Sequence, residues 1–263
     1  MYKVVSIAGT DPSGGAGVQA DLKTFMAHQV YGMSIITALV AQNTCGVRDI
    51  LHVPVSFLEE QFDCVFDDIY PDAVKIGMVS EPAIIQCIVK KLKQYHPSHI
   101  VVDPVMVSTS GHRLLEEDAL QLMKEELIPL ADIITPNLKE AEVLVQRNIE
   151  GREDMVKAAY DISKFYHGYI LIKGGHSLQE ADDLLFYQGT CTWLPQKRID
   201  NPNAHGTGCT LSSAIASNLA KGYSMIDSVR LAKNFITGAL MDGLDLGKGS
   251  GPLNHCWKIK TSF

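Results

Sequence analysis

The sequence predicts an α/β fold: a doubly wound, mostly parallel sheet with helices on both faces and a small hairpin at one edge. Short apolar runs rich in β-branched residues alternate with segments whose apolar residues recur at helical spacing. The runs are apolar throughout, as expected for strands that are buried on both faces. Helical crossovers between such strands make the sheet parallel, with right-handed connections.

Six runs are predicted as the parallel strands. They are Val4–Ala8, Ile35–Val40, Val74–Ile76, Ile100–Val102, Ile133–Ile134 and Tyr169–Ile172. Between the runs, apolar residues return every three or four positions, as they do at Val18, Leu22 and Phe25. These stripes predict the crossover helices.

The last third of the chain departs from this alternation. Leu184–Tyr187 and Cys191–Leu194 flank a turn containing Gly189, which predicts the edge hairpin. Two helical patterns follow Gly206 in succession. No internal repeat or linker separates these segments, so residues 1–263 are predicted to form a single domain.

Composition narrows the classes of function. The chain has 263 residues, of which 46% are hydrophobic and 20% are charged, as in ordinary globular proteins. Lys and Arg number 23 and Asp and Glu 30, which gives a net charge of −7. Proteins that bind nucleic acids or anionic membranes usually carry an excess of positive charge, which this chain lacks. Neither partner is therefore expected.

The sequence also favours a cytoplasmic location. No apolar stretch approaches the roughly 18 residues that a membrane span requires. The first residues are interpreted as a strand, because the apolar stretch is too short for a signal peptide. The six cysteines are scattered without a Cys-x-x-Cys pair, as in a reduced intracellular protein.

Two glycine clusters are candidate ligand loops. The first includes Gly15, Gly17 and Ala20, whose spacing fits the dinucleotide fingerprint G-x-G-x-x-G/A. A dehydrogenase is disfavoured, because six residues separate Ala8 from Gly15 and no acidic residue ends the next strand. What remains is a loop whose backbone approaches a ligand closely at a helix start.

The second cluster is His205-Gly206-Thr207-Gly208-Cys209-Thr210, at the start of a predicted helix. The N–H groups of a first helical turn have no partner within the helix and lie at the positive end of its dipole. Small residues there predict an anion site, with a plain helix cap as the alternative. The Walker A pattern does not occur, so P-loop nucleotide hydrolases are set aside.

Seven segments, taken together, resemble one family. They are Ala8–Thr24 (AGTDPSGGAGVQADLKT), Thr37–Thr44 (TALVAQNT), Lys75–Met78 (KIGM), Asp103–Val107 (DPVMV), Thr135–Glu140 (TPNLKE), Lys173–His176 (KGGH) and His205–Thr210 (HGTGCT). In this order they resemble hydroxymethylpyrimidine/phosphomethylpyrimidine kinase, an enzyme of thiamine biosynthesis in the ribokinase-like superfamily. The resemblance implies ATP and Mg²⁺ as cofactors, successive phosphorylation of the pyrimidine and of its monophosphate, and a homodimer.

The resemblance implies roles for residues on the phosphate side. The backbone amides of Gly206, Thr207, Gly208 and Cys209 would form an anion hole, and Lys173 would place a point charge on the phosphates. Cys209 stands where the wider superfamily has an aspartate base. Its position at a helix N-terminus predicts a lowered pKa, which would let a thiolate orient or deprotonate the acceptor.

Three further residues are expected to serve magnesium and phosphate. Asn137 and Glu140 match the superfamily's Asn-x-x-Glu element, and their i, i+3 spacing allows both side chains to share one helix face. Asp103 follows a predicted strand and would add a second carboxylate. So sparse a set suits Mg²⁺, which takes one or two protein carboxylates and keeps several waters.

For the pyrimidine, the resemblance points to Gly9, Asp11, Val40, Gln42 and Met78. Gln42 is persuasive on chemical grounds, because a 4-aminopyrimidine presents an amino donor beside a ring-nitrogen acceptor. One carboxamide pairs with both groups. Pyridoxal offers no such adjacent pair.

Two alternatives to a pyrimidine kinase stay open. Near relatives phosphorylate pyridoxal or pyridoxine, so a vitamin B6 kinase or a dual enzyme is the second hypothesis. A sensor with the same fold but no turnover is the third, although binding alone does not require Lys173, Glu140 and Cys209 together.

Two positions depart from the family pattern. Ala204 stands where a threonine is common in the family. His112 lies in a segment where acidic or small residues are frequent, and it is interpreted as a surface histidine.

Overall fold

The computed structural model describes residues 1–106, 116–175 and 182–259. The strands in these ranges are β1 Lys3–Ala8, β2 Tyr31–Ile36, β3 Ala38–Asn43, β4 Gly46–His52, β5 Ala73–Ile76, β6 Ile100–Val102, β7 Ile133–Ile134, β8 Tyr169–Ile172, β9 Asp183–Tyr187 and β10 Thr190–Leu194. The helices are α1 Gly17–Ala27, α2 Val55–Phe66, α3 Pro82–Tyr95, α4 Glu117–Leu122, α5 Leu138–Val145, α6 Arg152–Ile162, α7 Thr207–Ala220 and α8 Met225–Met241. A π-helical turn at Met123–Leu127 and a 3₁₀ turn at Ile128–Leu130 extend α4.

Eight strands form the main sheet, in the order β2-β1-β5-β6-β7-β8-β9-β10. The first six in this order are parallel, and β9 and β10 are antiparallel at one edge. The turn between β9 and β10 places Gln188 at φ 47° and Gly189 at φ 80°, the positive values that a tight two-residue hairpin turn requires. The predicted parallel sheet and its edge hairpin are therefore confirmed.

Helices cover both faces of this sheet, because alternate residues of each buried strand point to opposite sides. Val5 and Ile7 of β1 belong to a core that includes residues of α2, α3, α5 and α6. Val4 belongs to a second core formed with α1, α7 and α8. No helix of the described residues is both long and apolar enough to span a bilayer.

The predicted strand Ile35–Val40 is wrong as a single element. The chain leaves the main sheet at Thr37, whose N–H donates to Ala8 O beyond the last β1–β2 pair. It then pairs with β4 in a separate two-stranded antiparallel sheet, which we call the flap. Thr10 anchors the flap to the β1 end, since its N–H donates to Ala38 O and its hydroxyl accepts from Val40 N.

Candidate active site

The predicted site residues gather at one edge of the sheet. Gly9 follows β1, Met78 follows β5, Asp103 follows β6 and Lys173 follows β8. The carboxyl ends of parallel strands meet along a single edge, which is where ligands bind in open α/β sheets. Loops at this edge bring together the residues predicted for the acceptor, near the flap, and those predicted for the phosphates, near α7, and these two groups are called the acceptor side and the phosphate side below.

On the acceptor side, Gly9, Val40 and Met78 converge. A Cβ built on Gly9 would lie 2.9 Å from Met78 Cε and 3.6 Å from Val40 Cγ2, so only glycine leaves this space open. Gln42 lies two residues beyond Val40 on the flap, and its carboxamide makes no hydrogen bond to any residue in the described ranges. A cavity of about 270 Å³, lined in part by Met78 and Ile50, lies beside this group.

Asp11 is buried and orders the glycine loop. Its carboxylate accepts hydrogen bonds from the N–H and hydroxyl of Ser13, the N–H groups of Gly15 and Ala16, and His205 Nε2 at 2.8 Å. Burial acts to raise the pKa of Asp11, but these hydrogen bonds outweigh it and hold the pKa well below its usual range. Both oxygens are engaged, so direct substrate contact by Asp11 stays a prediction while its loop-ordering role is visible.

On the phosphate side, Lys173 and Asp103 form an ion pair. Lys173 Nζ lies 2.8 Å from Asp103 Oδ1, which also accepts from the Thr135 hydroxyl at 3.0 Å. Burial alone would lower the pKa of Lys173, but Asp103 and Glu140 more than offset it and raise the pKa. A Cβ built on Gly208 would lie 3.2 Å from both charged groups, so the ion pair lies directly against the first turn of α7.

Glu140 and Asn137 form a reciprocal cap at the start of α5. Asn137 Oδ1 accepts from Glu140 N at 3.0 Å, and Glu140 Oε2 accepts from Asn137 N at 2.8 Å. Burial raises the pKa of Glu140 to about 7, with Lys173 opposing the rise and Asp103 adding to it. This cap fixes the buried carboxylate of Glu140 near the Lys173–Asp103 ion pair.

The first turn of α7 presents the predicted anion hole. Gly206 caps the helix at φ 82°, and a Cβ there would lie 1.8 Å from Gly15 O, so only glycine fits. Thr207 N already donates to Ala204 O at 3.3 Å. Of the amides predicted for the anion hole, Gly206 N, Gly208 N and Cys209 N have no acceptor among the described residues.

Cys209 connects the two sides of the site, but its predicted pKa is wrong. The backbone N–H of Gly17 faces the Cys209 sulfur, and a Cβ on Gly17 would lie 2.5 Å from Gly9 O. Burial raises the pKa of the thiol to about 11, with Asp21 adding to the rise and Lys75 opposing it. The loss of hydration outweighs the helix terminus and the Gly17 N–H, so the thiol is protonated at neutral pH in the free protein.

Three predicted positions lie outside the described residues. These are His112, Val107 at the end of the DPVMV segment and His176 at the end of the KGGH segment.

Lys75 and Asp21 are not among the predicted site residues. They form an ion pair with no exposed surface, at 2.8 Å from Nζ to Oδ2. A signal was present, because Lys75 is the one charged residue in a four-residue apolar strand and Asp21 lies in the apolar stripe of α1. Charged residues at such positions are rarely buried unless they are paired.

Comparisons with known proteins show the family to which the chain is similar. The family model described as phosphomethylpyrimidine kinase matches residues 11–254. A hydroxymethylpyrimidine/phosphomethylpyrimidine kinase of Rhizobium meliloti (strain 1021) is 49% identical over 255 residues, covering 95% of this chain and 96% of the relative.

Two solved structures are similar over most of the chain. A phosphomethylpyrimidine kinase from Clostridium difficile 630 is 46% identical with a TM-score of 0.82, covering 90% of this chain and 98% of that one. A Bacillus subtilis pyridoxal kinase, solved as an ADP complex, is 36% identical with a TM-score of 0.92, covering 99% and 100%. With its sheet topology and converging phosphate side, the chain belongs to the phosphomethylpyrimidine kinase family and is an ATP-dependent kinase of ribokinase-like fold.

Proposed function

We propose that the protein transfers the γ-phosphate of ATP to 4-amino-5-hydroxymethyl-2-methylpyrimidine and then to its monophosphate, in thiamine biosynthesis. The observation that carries this is the convergence of an acceptor pocket and a phosphate side at Cys209. Gly17 connects the thiol to Gly9 on one side, and Gly208 meets the Lys173–Asp103 pair on the other. The pyrimidine kinases compared above are 46% and 49% identical to the chain.

Recognition of the pyrimidine rests on Gln42. Its carboxamide offers an acceptor and a donor side by side, which complement the amino group and the neighbouring ring nitrogen of the substrate. The apolar contacts of Val40 and Met78 suit the faces of a flat ring. Pyridoxal kinase activity is the second candidate, favoured by the TM-score of 0.92 to a pyridoxal kinase but at a lower identity of 36%.

Transfer is supported by charge at the first turn of α7. The substrate oxygen forms a bond to the γ-phosphorus, while the bond from that phosphorus to the bridging oxygen breaks and ADP leaves. The amides of Gly208 and Cys209, with the Lys173 ammonium, stabilise the charge that develops on the phosphoryl oxygens.

We assign the proton of the acceptor hydroxyl to the Cys209 sulfur. With a pKa of about 11, only a small fraction of the thiol is ionised at neutral pH, and that fraction rises about tenfold per pH unit. The rate should therefore increase with pH if the thiolate is the base. A loose phosphoryl-transfer transition state needs little help from a base, which is compatible with a weakly ionised thiol.

Asp103 and Glu140 fit a role at magnesium. Their oxygens are of the type that Mg²⁺ prefers, and two buried carboxylates face the single ammonium of Lys173, which leaves an excess of negative charge. No cluster of three or more His, Cys, Asp or Glu suited to a metal occurs among the described residues, so phosphate oxygens and water would complete the shell. When bound, the ion would neutralise charge on the transferring phosphates.

The proposal also covers the domain organisation, the location and the oligomeric state. The protein is proposed to be a single kinase domain over residues 1–263, located in the cytoplasm, and to form a homodimer. The outer face of the flap exposes Leu39 and Leu51, which are paired across its two strands and form an apolar surface of the kind that self-association would cover. Sedimentation of the purified protein tests the dimer.

A coupled assay of ADP release tests the function. Hydroxymethylpyrimidine, its monophosphate and pyridoxal are compared at the same ATP and magnesium concentrations. We expect turnover with both pyrimidines and a much lower kcat/KM for pyridoxal. Turnover with pyridoxal alone would overturn the proposal, and full kcat in Cys209→Ala would show that the thiol takes no proton.

A further inference from the structure

Lys75 carries a positive charge at the centre of the fold. Its strand, β5, directs Val74 and Ile76 into the core on one face, so Lys75 points to the opposite face, where α1 and α7 pack. Its ammonium lies 2.9 Å and 2.8 Å from the two oxygens of Asp21, and these are its hydrogen bonds among the described residues. An ammonium has a third N–H to donate.

Stability alone does not account for this pair. Taking two charges out of water costs several kcal/mol per ion, and replacing a buried pair with neutral residues of similar size is often neutral or stabilising. Asp21 is further committed, since it accepts from the hydroxyls of Ser6 at 2.5 Å and Ser213 at 2.7 Å. Lys75, Ser6 and Ser213 all contact the Asp21 carboxylate, and a buried cluster of this kind suggests a use for the charge of Lys75.

The packing of α1 against α7 places Cys209 next to this cluster. Gly17 on α1 meets Cys209 on α7, and one helical turn further along both helices Asp21 meets Ser213. A Cβ built on Gly77, two residues beyond Lys75, would lie 2.7 Å from Lys75 Nζ. The lysine therefore extends along β5 toward the carboxyl edge of the sheet, where Cys209 lies.

We propose that Lys75 is a positioning residue for phosphoryl transfer, whose buried ammonium stabilises negative charge on the Cys209 sulfur. This rests on the proposed function, in which the thiolate accepts the proton of the acceptor hydroxyl. Before that step the thiol has given its own proton to solvent. Asp21 holds the ammonium in place and at the same time opposes thiolate formation through its own charge.

Four charged groups act on Cys209, each from a different element. Lys75 comes from β5, Asp21 from α1, and Asp103 and Lys173 from the ends of β6 and β8. Lys75 lowers the pKa of the thiol, whereas Asp21 and Asp103 raise it. The opposite signs of the first two charges make the proposal testable by removing each in turn.

The test compares Asp21→Asn with Asp21→Asn/Lys75→Met, which differ only in the charge at position 75. The rate of Cys209 alkylation by iodoacetamide is measured against pH, with the Cys209 peptide quantified by mass spectrometry. In Asp21→Asn the pKa of Cys209 should fall by about one unit or more, so alkylation at pH 8 should be about tenfold faster than in the wild type. Adding Lys75→Met should return the pKa to the wild-type value or above it.

Asp63→Asn is the matched control, because it also removes the partner of a buried lysine, Lys91, but on α2 and α3, away from Cys209. It should leave the alkylation profile unchanged. Equal Cys209 pKa values in the single and double variants would overturn the proposal.

If Asp21→Asn does not fold, the double variant is compared with the wild type instead. A raised pKa is then expected, because Lys75 has the larger effect of the two, and an unchanged pKa would refute it. Failure of the proposed function is separate, since Cys209→Ala with full kcat would leave the alkylation results as they are.

Discussion

Two lysine–aspartate pairs of similar geometry lie close enough to Cys209 for their charges to act on it. Lys75–Asp21 and Lys173–Asp103 both have an N–O distance of 2.8 Å. The first has no exposed surface, whereas the Lys173 side chain keeps 15% of its surface accessible. Lys75 is the third residue of its four-residue strand, and Lys173 is the first residue after its strand.

Relative to the ends of their strands, Lys75 and Lys173 differ by two positions. This difference gives two lysine–aspartate pairs of the same kind different uses. A lysine just beyond the strand end lies at the ligand-binding edge and is able to contact phosphate. A lysine inside the strand is sealed by the helices above it and acts only through the field of its charge. The depth of a charge in the sheet, rather than its partner, therefore decides how it serves the site.

The largest expected effect is on stability and comes from Lys75→Met. Removing one partner of a fully buried pair leaves Asp21 charged and unpaired, which costs about 3–5 kcal/mol in the free energy of unfolding. Lys173→Met should cost less, because that pair has access to water. Urea unfolding followed by circular dichroism measures both variants, and equal losses would contradict the contrast between the pairs.

The next effect is on catalysis and comes from Lys173→Met. Losing a charge that acts on the transferring phosphoryl group should lower kcat about 10²–10³-fold and raise the KM for ATP, with little change for the pyrimidine. Steady-state kinetics at saturating pyrimidine measure this. Asp63→Asn serves as the control for a remote ion pair, and a wild-type kcat in Lys173→Met would make the lysine a bystander.

Much of this site could be predicted from strand ends alone. Gly9, Asp103 and Lys173 directly follow their strands and Met78 follows β5 by two residues, and a parallel sheet necessarily brings these positions to one edge. The edge hairpin was equally predictable, since Gly189 permits the positive φ that its turn requires.

The rest depends on tertiary contacts. Residues 35–40 are continuously apolar apart from Thr37, so local pattern does not show that the chain leaves the main sheet there to pair with β4. The pKa of Cys209 was misjudged for a related reason. A helix N-terminus is visible in a sequence, but the burial that opposes it arises only when α1 packs over α7.

A third prediction concerns a residue that should be independent of both pairs. Gln42→Ala would leave one or two polar atoms of the bound pyrimidine without partners, at roughly 1–3 kcal/mol each, so affinity should fall about ten- to a hundredfold. Calorimetry measures the pyrimidine Kd and, as the control, the ADP Kd, which should not change. An unchanged pyrimidine Kd would remove Gln42 from the site.

The smallest effect on stability is expected from the double variant Lys75→Met/Asp21→Asn. Both charges disappear together, so no unpaired ion is left in the core. The Asn carboxamide still accepts from one serine hydroxyl, and the other hydroxyl is able to rotate and accept from the Asn amide, because serine is both donor and acceptor. The free energy of unfolding should then lie within about 1 kcal/mol of the wild type, although Lys75→Met alone loses several times more. Urea unfolding of the wild type, both single variants and the double variant completes the cycle. A double variant as unstable as Lys75→Met would show that the Lys75–Asp21 pair is needed for folding. The two lysine–aspartate pairs would then differ in what they contribute to stability as well as in their depth in the sheet.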